Sequence, residues 1–296
     1  MAELTWGRVG VWTRELDRLP MRDAQATAAE LEELGYRMLW VPEVIGREPI
    51  SNAALLLSGT SELIVGAGVA NIHARSATAM QAGWKTLTEA FPERFVLGLG
   101  VGVPGIVEAV HRQPYGKPYT AMVDYLDAFE KAPYVAKRPT AELQLVLAAL
   151  RPRLMRLSAE RSLGAMAYFV PVEHTTWARE ILGAGPTLVI EQAVVVESDP
   201  SAAREIARRY MATYLQIPTY TDHLRDLGWT DDDLAGPSDA LVDAIVAWGP
   251  PDAIATRVQA HLDAGADHVA LQAVPADPRA VPVEEWRGLA QLAQAI

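Results

Sequence analysis

The chain of 296 residues contains no cysteine. Disulfides, thiolate nucleophiles, zinc thiolates and cysteine-bound iron–sulfur clusters are therefore excluded. Long apolar runs are missing too: no stretch reaches the roughly 18 residues that a membrane span requires. The opening MAELTWGRVG has no basic segment leading into an apolar one, so it does not read as a secretion signal. A cytoplasmic protein without a membrane partner is expected. Positive charge is also short, and the net charge of −11 argues against a nucleic-acid partner or an anionic lipid surface. The six histidines are scattered without metal-ligand spacing, so no metal site is expected. H-E-x-x-H, G-x-S-x-G and P-loop motifs are absent, which leaves zinc hydrolysis, acyl transfer and phosphoryl transfer unsupported. With so thin an inventory, a cofactor is expected to carry any hard chemistry, acting on a small-molecule substrate.

What is present is apolar and periodic. Half of the residues are hydrophobic and 21% are charged, enough for a substantial core. The stretch 63–102 sets the pattern. Residues 63–69 form a short β-branched run suited to a strand buried on both faces. Ser76 is placed to cap a helix that carries Met80, Trp84 and Leu87, and Pro92 stops it. Residues 95–99 form the next buried strand. Two parallel strands joined by a helix make a right-handed βαβ unit, and the chain repeats it. Further strands are expected at 8–13, 38–41, 143–150, 165–170, 188–196 and 269–274. Helices are expected between them, with Ser51 capping one, Gly35 ending one and Asp199-Pro200 starting another. Residues 240–248 read as helix, and the acidic run 231–233 as a solvated turn or helix start. Residues 103–118 read as a long loop and 218–237 as a partly helical insertion.

Eight strands alternating with helices predict a single (β/α)8 barrel over 1–296, with insertions after strands 4 and 7; a doubly wound open sheet uses the same units. In a barrel, chemistry collects where strands end. That rule selects Trp12, Glu43, Asn71, His73, Gly100, Gly102 and Tyr168, and adds His111 on the long loop. It demotes His268, which precedes its strand. His261, near a helix C-terminus where the helix dipole favours an imidazolium, reads as structural. Gly100-Val101-Gly102-Val103-Pro104-Gly105 matches the dinucleotide motif G-x-G-x-x-G, with Asp124 near the spacing of a ribose carboxylate. Pro104 and the irregular run after it argue against the helix that motif needs.

At these residues the chain resembles the bacterial-luciferase-like superfamily, and within it the actinobacterial oxidoreductases that use the deazaflavin coenzyme F420. The resemblance rests on Leu39-Trp40-Val41-Pro42-Glu43, on Gly66-Ala67-Gly68-Val69 before Asn71, and on Arg94-Phe95-Val96-Leu97-Gly98-Leu99-Gly100. Tyr168-Phe169-Val170, Glu173-His174-Thr175 and Ala264-Gly265-Ala266-Asp267-His268-Val269 extend it. It implies a cofactor ring at the carboxyl face, backed by a bulge with a non-proline cis peptide at Gly68–Val69. Asn71, Gly100 and Gly102 would contact the cofactor and His174 its phosphate, while Arg151 would either pair with that phosphate or fill its space. Glu43 would contact the cofactor or handle the proton together with His73, or else form an ion pair at the barrel rim, and Trp12, His111 and Tyr168 would line the substrate pocket. It also implies a homodimer. FMN with a reductase partner is the alternative cofactor system. The pattern departs at Val44, at Arg151-Pro152 and at Ala165-Met166-Ala167, so a non-catalytic barrel without cofactor stays open.

Overall fold

The computed structural model describes residues 5–295. Residues 1–4, part of the segment read above as no secretion signal, and residue 296 lie outside them. The first half runs β1 (Val9–Trp12), α1 (Met21–Glu33), β2 (Met38–Val41), α2 (Pro49–Ser58), β3 (Ile64–Asn71), α3 (Ala77–Ala90) and β4 (Phe95–Gly100). Then come α4 (Pro104–Ala109), α5 (Pro118–Glu130), β5 (Gln144–Ala148), α6 (Pro152–Arg161), β6 (Gly164–Ala167) and α7 (Val172–Leu182). The last third runs β7 (Thr187–Val195), α8 (Pro200–Tyr214), α9 (Pro218–Asp226), α10 (Asp231–Ala235), α11 (Asp239–Ile245), β8 (Val246–Trp248), α12 (Pro251–Asp263), β9 (His268–Ala273) and α13 (Val283–Ala295).

Pairing follows β1-β2-β3-β4-β5-β6-β7-β9, and β9 returns to β1, all in parallel. Eight strands thus close a barrel. The ninth, β8, lies outside the ring. The long β7 pairs with β6 only through Thr187–Ile190 and meets β8 at Ala193–Val195 further along. The sequence reading missed this strand: 239–245 is helix as expected, but Val246–Trp248 extends beside the end of β7 that β6 does not reach.

Other elements differ from expectation in instructive ways. Glu48, not Ser51, caps α2, accepting the backbone N–H groups of Ile50 and Ser51. Residues 103–118 are not all loop, since Pro104 opens the short α4. Proline suits the first turn because its missing N–H would be unpaired there anyway. The insertion at 218–237 is mostly the two helices α9 and α10, the latter opened by a Thr230–Asp233 capping box. Ser76 and Asp199 cap α3 and α8 as expected.

The inward faces interlock large with small. Trp40 fills the barrel where Gly66 leaves room; a Cβ on Gly66 would stand 2.3 Å from the indole ring. At the amino end, Trp6 donates to the Gln144 side chain (2.6 Å) and Trp40 to His268 Nε2 (3.2 Å), while His268 Nδ1 donates to the Gly7 carbonyl (2.8 Å). Burial pushes His268 down to about 4, so its ring is a neutral structural bridge. His261 is structural as well, but the imidazolium expected from the helix dipole does not form. Burial holds it near about 3, and Thr175 and the Gln192 side chain occupy its two nitrogens at 2.8 Å. Desolvation outweighs the dipole. The floor is packed, so chemistry is left to the carboxyl end.

Candidate active site

The exits of β2, β3 and β4 form one side of the mouth. β3 carries a register shift between Ala67 and Ala70, and the Gly68–Val69 peptide is cis. The bulge turns Val69 towards β4, where Gly98 and Gly100 leave space; a Cβ on Gly100 would stand 2.6 Å from Val69 Cγ2. Gly102 likewise accommodates the Asn71 amide, and its φ of +64° suits glycine. Both glycine gaps are thus occupied by side chains of β3. Glu43 accepts the Asn71 backbone N–H (2.7 Å) and binds Arg75 through both oxygens, with Arg75 Nη1 at 2.9 Å. Arg75 also reaches Glu48 at 3.3 Å. Of the two roles open to Glu43, the structure displays the rim ion pair.

Past the bulge, His73 donates its backbone N–H to the Asn71 side chain (2.9 Å), and its ring lies 6.2 Å from that of Tyr115. Tyr115 donates to the Gly102 carbonyl (3.0 Å). Burial, then the nearby His111, lowers the His73 pKa. The Nε2 atoms of His73 and His111 are both buried without a hydrogen-bond partner. Two orphaned nitrogens at a barrel mouth are unusual, because buried polar groups are normally paired.

Trp12 and Tyr168 cross the mouth from β1 to the end of β6. The Trp12 indole N–H donates to the Gly68 carbonyl (2.8 Å), and the two rings meet at 5.1 Å. Beyond them lies a second polar cluster. Tyr168 donates to the Gln272 side chain (2.6 Å) and bonds the Tyr214 hydroxyl (2.6 Å); Tyr210 stands 3.3 Å from Tyr168 and 3.2 Å from Gln272. Tyr210 and Tyr214 come from α8, and Tyr220 from α9 packs onto Tyr168 and Phe169. Beside them is a cavity of about 190 Å³ that Arg14, Tyr210, Tyr214 and Gln272 help to line.

Glu191 sits in this cluster. It follows Val189 by two residues on β7, so it shares the inward face, opposite Ala270. Its Oε2 accepts the Phe169 backbone N–H (3.0 Å), and its Oε1 has no partner. Phe169 is left-handed (φ 59°) as the chain leaves β6, a conformation that disfavours side chains. That turn aims the N–H at Glu191. Burial pushes the Glu191 carboxyl up to about 8, although the Phe169 N–H and the Tyr210 hydroxyl beside it oppose the rise.

Around the exits of β5 and β6, Arg151 precedes α6 and pairs with Asp226 of α9 at 3.2 Å. His174 is wholly enclosed and bonds His223 of α9 (His174 Nδ1 to His223 Nε2, 2.8 Å). Its Nε2 is unpartnered. Burial, then Arg151, lowers His223 to about 4. The insertion helix is therefore anchored through its last turn, by an ion pair and by a neutral histidine pair.

The sequence profile of the luciferase-like monooxygenase family matches residues 5–268. The chain belongs to that family. A Mycobacterium tuberculosis protein assigned as a coenzyme F420-dependent oxidoreductase is 31% identical over 108 residues. The match covers 36% of this chain and 31% of that protein, so the chain spans about a third of the length of this curated relative. Among solved structures, an F420-dependent secondary alcohol dehydrogenase bound to an F420–acetone adduct superposes with a TM-score of 0.77, at 12% identity over 98% of both chains. The F420-dependent tetrahydromethanopterin reductase of Methanopyrus kandleri gives 0.75, at 13% identity over 98% of both chains. The oxygenating constituent of the Pseudomonas putida 3,6-diketocamphane monooxygenase, bound to FMN, gives 0.73 at 15% identity over 97% of both chains. Identities this low establish the shared barrel fold.

Sequence reasoning missed several polar residues that line this luciferase-like mouth. Glu191 was visible as a lone carboxylate inside the apolar run 187–196, where a charged residue is the anomaly. Arg75, His223 and the tyrosines of α8 and α9 carried no such signal, since their place depends on how the insertion folds back.

Proposed function

We propose that this luciferase-like barrel is an oxidoreductase that uses coenzyme F420, moving a hydride between the deazaflavin and a small organic substrate. The observation that carries the proposal is the pair of buried, unpartnered His73 and His111 nitrogens beside the Gly68–Val69 bulge. A heterocycle whose edge alternates donors and acceptors fits them, because each ring nitrogen can donate or accept according to its tautomer. Asn71, His73 and the backbone at 68–69 would hold the ring edge. Arg151, exposed at the start of α6 and paired only across the surface with Asp226, would turn to a phosphate. The deazaflavin supplies hydride chemistry when bound; the protein's task is to orient the two reactants, exclude water and place the proton. The F420-dependent names of the M. tuberculosis relative and of two structural neighbours support this reading. We also propose that the protein is a cytoplasmic homodimer.

FMN is the second reading, supported by the FMN-bound monooxygenase neighbour; it would add a reductase partner. Fluorescence titration of purified protein with each cofactor separates them. The expected result is micromolar binding of F420, tighter than of FMN. His73→Ala should weaken it at least ~10-fold, about 1.4 kcal/mol, as expected for loss of one buried hydrogen bond. Preference for FMN moves the protein to the monooxygenase branch. Binding of neither leaves a barrel without cofactor and refutes both.

A further inference from the structure

The cavity of about 190 Å³ opens between α8, the end of β9 and the single helical turn Glu15–Arg18 that follows β1. It shares no lining residue with the β3 bulge or with the exits of β4 and β5. Its exposed end is basic. Arg14 gives its Nε to Glu15 (3.3 Å), and its two Nη groups make no hydrogen bond among the described residues. Arg209 gives one Nη to the Ala276 carbonyl (2.7 Å) and has no carboxylate partner among them. Glu15 is the carboxylate in the lining, and both its oxygens are spent. Oε2 accepts the Thr13 hydroxyl (2.9 Å) and the Arg14 backbone N–H (3.2 Å), while Oε1 faces Arg14 and Arg18 (3.9 Å). In a chain of net charge −11, two cations with free donors beside one matched carboxylate form a local positive focus. The rim is already fixed: Arg18 donates to the Pro278 carbonyl (2.5 Å) as Arg209 does to that of Ala276, so the segment 276–278 is clasped twice. Deeper in, burial raises the Tyr210 and Tyr214 phenols, which keeps them neutral beside Gln272. The buried Glu191 carboxyl, pushed up to about 8 by burial, is protonated at neutral pH and adds no repulsion. Ile206, Val274, Pro275 and Pro278 supply apolar wall.

We propose that this cavity binds a small organic monocarboxylate, its charge met by the free donors of Arg14 and Arg209 and its apolar body laid against Ile206, Val274 and the two prolines. A guanidinium offers paired N–H donors in the geometry of a carboxylate, and the Arg14 Nη pair is unspent. A neutral ligand would leave both cations unmatched. A bare inorganic anion would leave the apolar wall uncovered. A carboxylate on an apolar body satisfies both ends, and the clasped rim spares it the cost of ordering the loop. The assignment concerns binding alone. It needs no cofactor, and it stands or falls separately from the oxidoreductase reading.

Titration calorimetry of the full chain with benzoate at neutral pH tests this. Benzamide, alike in shape but uncharged, should bind at least ~10-fold more weakly, and Arg14→Gln and Arg209→Gln should each weaken benzoate by ~10-fold or more, as for loss of a charge-assisted hydrogen bond. Arg156→Gln removes the same charge from the exposed face of α6 and should leave affinity unchanged. Thr213→Trp keeps every charge but fills the lining from the exposed side of α8, and should abolish binding. In methyl NMR, the benzoate ring should show nuclear Overhauser contacts to Ile206 and Val274. No saturable binding at millimolar benzoate, equal binding of benzamide, or full affinity in both arginine variants overturns the proposal. Inorganic phosphate binding more tightly than benzoate overturns the monocarboxylate, and contacts to other methyls overturn the place. Should a variant fail to fold, the benzoate–benzamide comparison and the methyl contacts still decide on the wild type.

Discussion

Glu191 shows how one residue carries a stability signature as well as a chemical one. Its folded-state value of about 8 lies above the ordinary 4.5, so between those limits the folded protein binds more protons than the unfolded chain. Stability must therefore fall as pH rises through that window, by up to about 1.4 kcal/mol per pH unit. Glu191→Gln should remove the slope. Urea denaturation at pH 5.5, 7 and 8.5 is expected to show the variant gaining on the wild type at each step; parallel curves would mean that Glu191 is ionised throughout. Residues of this kind were half legible. A carboxylate in the middle of TLVIEQAVV is an anomaly in any apolar strand, yet the N–H it accepts lies 22 residues back, at Phe169. Glu43 was legible as a rim residue from its place after β2, but its ion pair with Arg75 spans 32 positions.

The β3–β4 pair is the element on which the candidate site depends, and its fit is steric. A Cβ on Gly100 would press on Val69 Cγ2 at 2.6 Å and on Ala148 at 3.3 Å. Gly100→Ala should cost about 1–3 kcal/mol through overpacking. Val69→Ala leaves a small void and should cost roughly 1 kcal/mol. Since the added methyl and the removed ones share one space, the double variant should be at least about 1 kcal/mol more stable than the sum of the two predicts. Additive losses in a denaturation cycle would show that the glycine is needed for another reason. Elements with strong local signals were read well, including β3, α3, β4 and the capped start of α8. The failures cluster at 104–109 and 246–248. A one-turn helix opened by proline and a three-residue strand are too short to show a period, and β8 exists only because β7 offers it an edge.

At the scale of the molecule, protonation sets limits on both sides. His223, His261 and His268 are buried with values of about 4, 3 and 4, against an ordinary 6.5. Depressed values mean that the unfolded chain binds the extra protons. The stability these residues confer is complete above pH 6.5 and is lost as pH falls towards their folded values. Three such groups give a slope approaching about 4 kcal/mol per pH unit. The melting temperature is expected to drop steeply below pH 6, and His268→Gln, which can keep a donor near Gly7, should soften the drop. A melting temperature unchanged between pH 7 and 5 would contradict the buried neutral state. Together with Glu191, these histidines place the stability maximum near neutrality. The barrel as a whole was legible because buried parallel strands write continuous apolar runs, and the chain repeats the unit. The division of the mouth was not, because it arises from α8 and α9 folding back over strands that lie far away in sequence.

The overhang of β7 past β6 has a consequence for any attempt to reduce this chain to a minimal barrel. The segment 193–195 runs past the end of β6 while Ala193 and Val194 still pair with β9 on the other side, and on the edge that β6 does not reach the short β8 covers it. A bare edge of alanine and valine is a template for strands from other molecules. The segment 218–248, which looks like decoration on a repeating scaffold, is therefore also a guard against self-association: excising it would leave the eight-stranded ring intact on paper and sticky in solution.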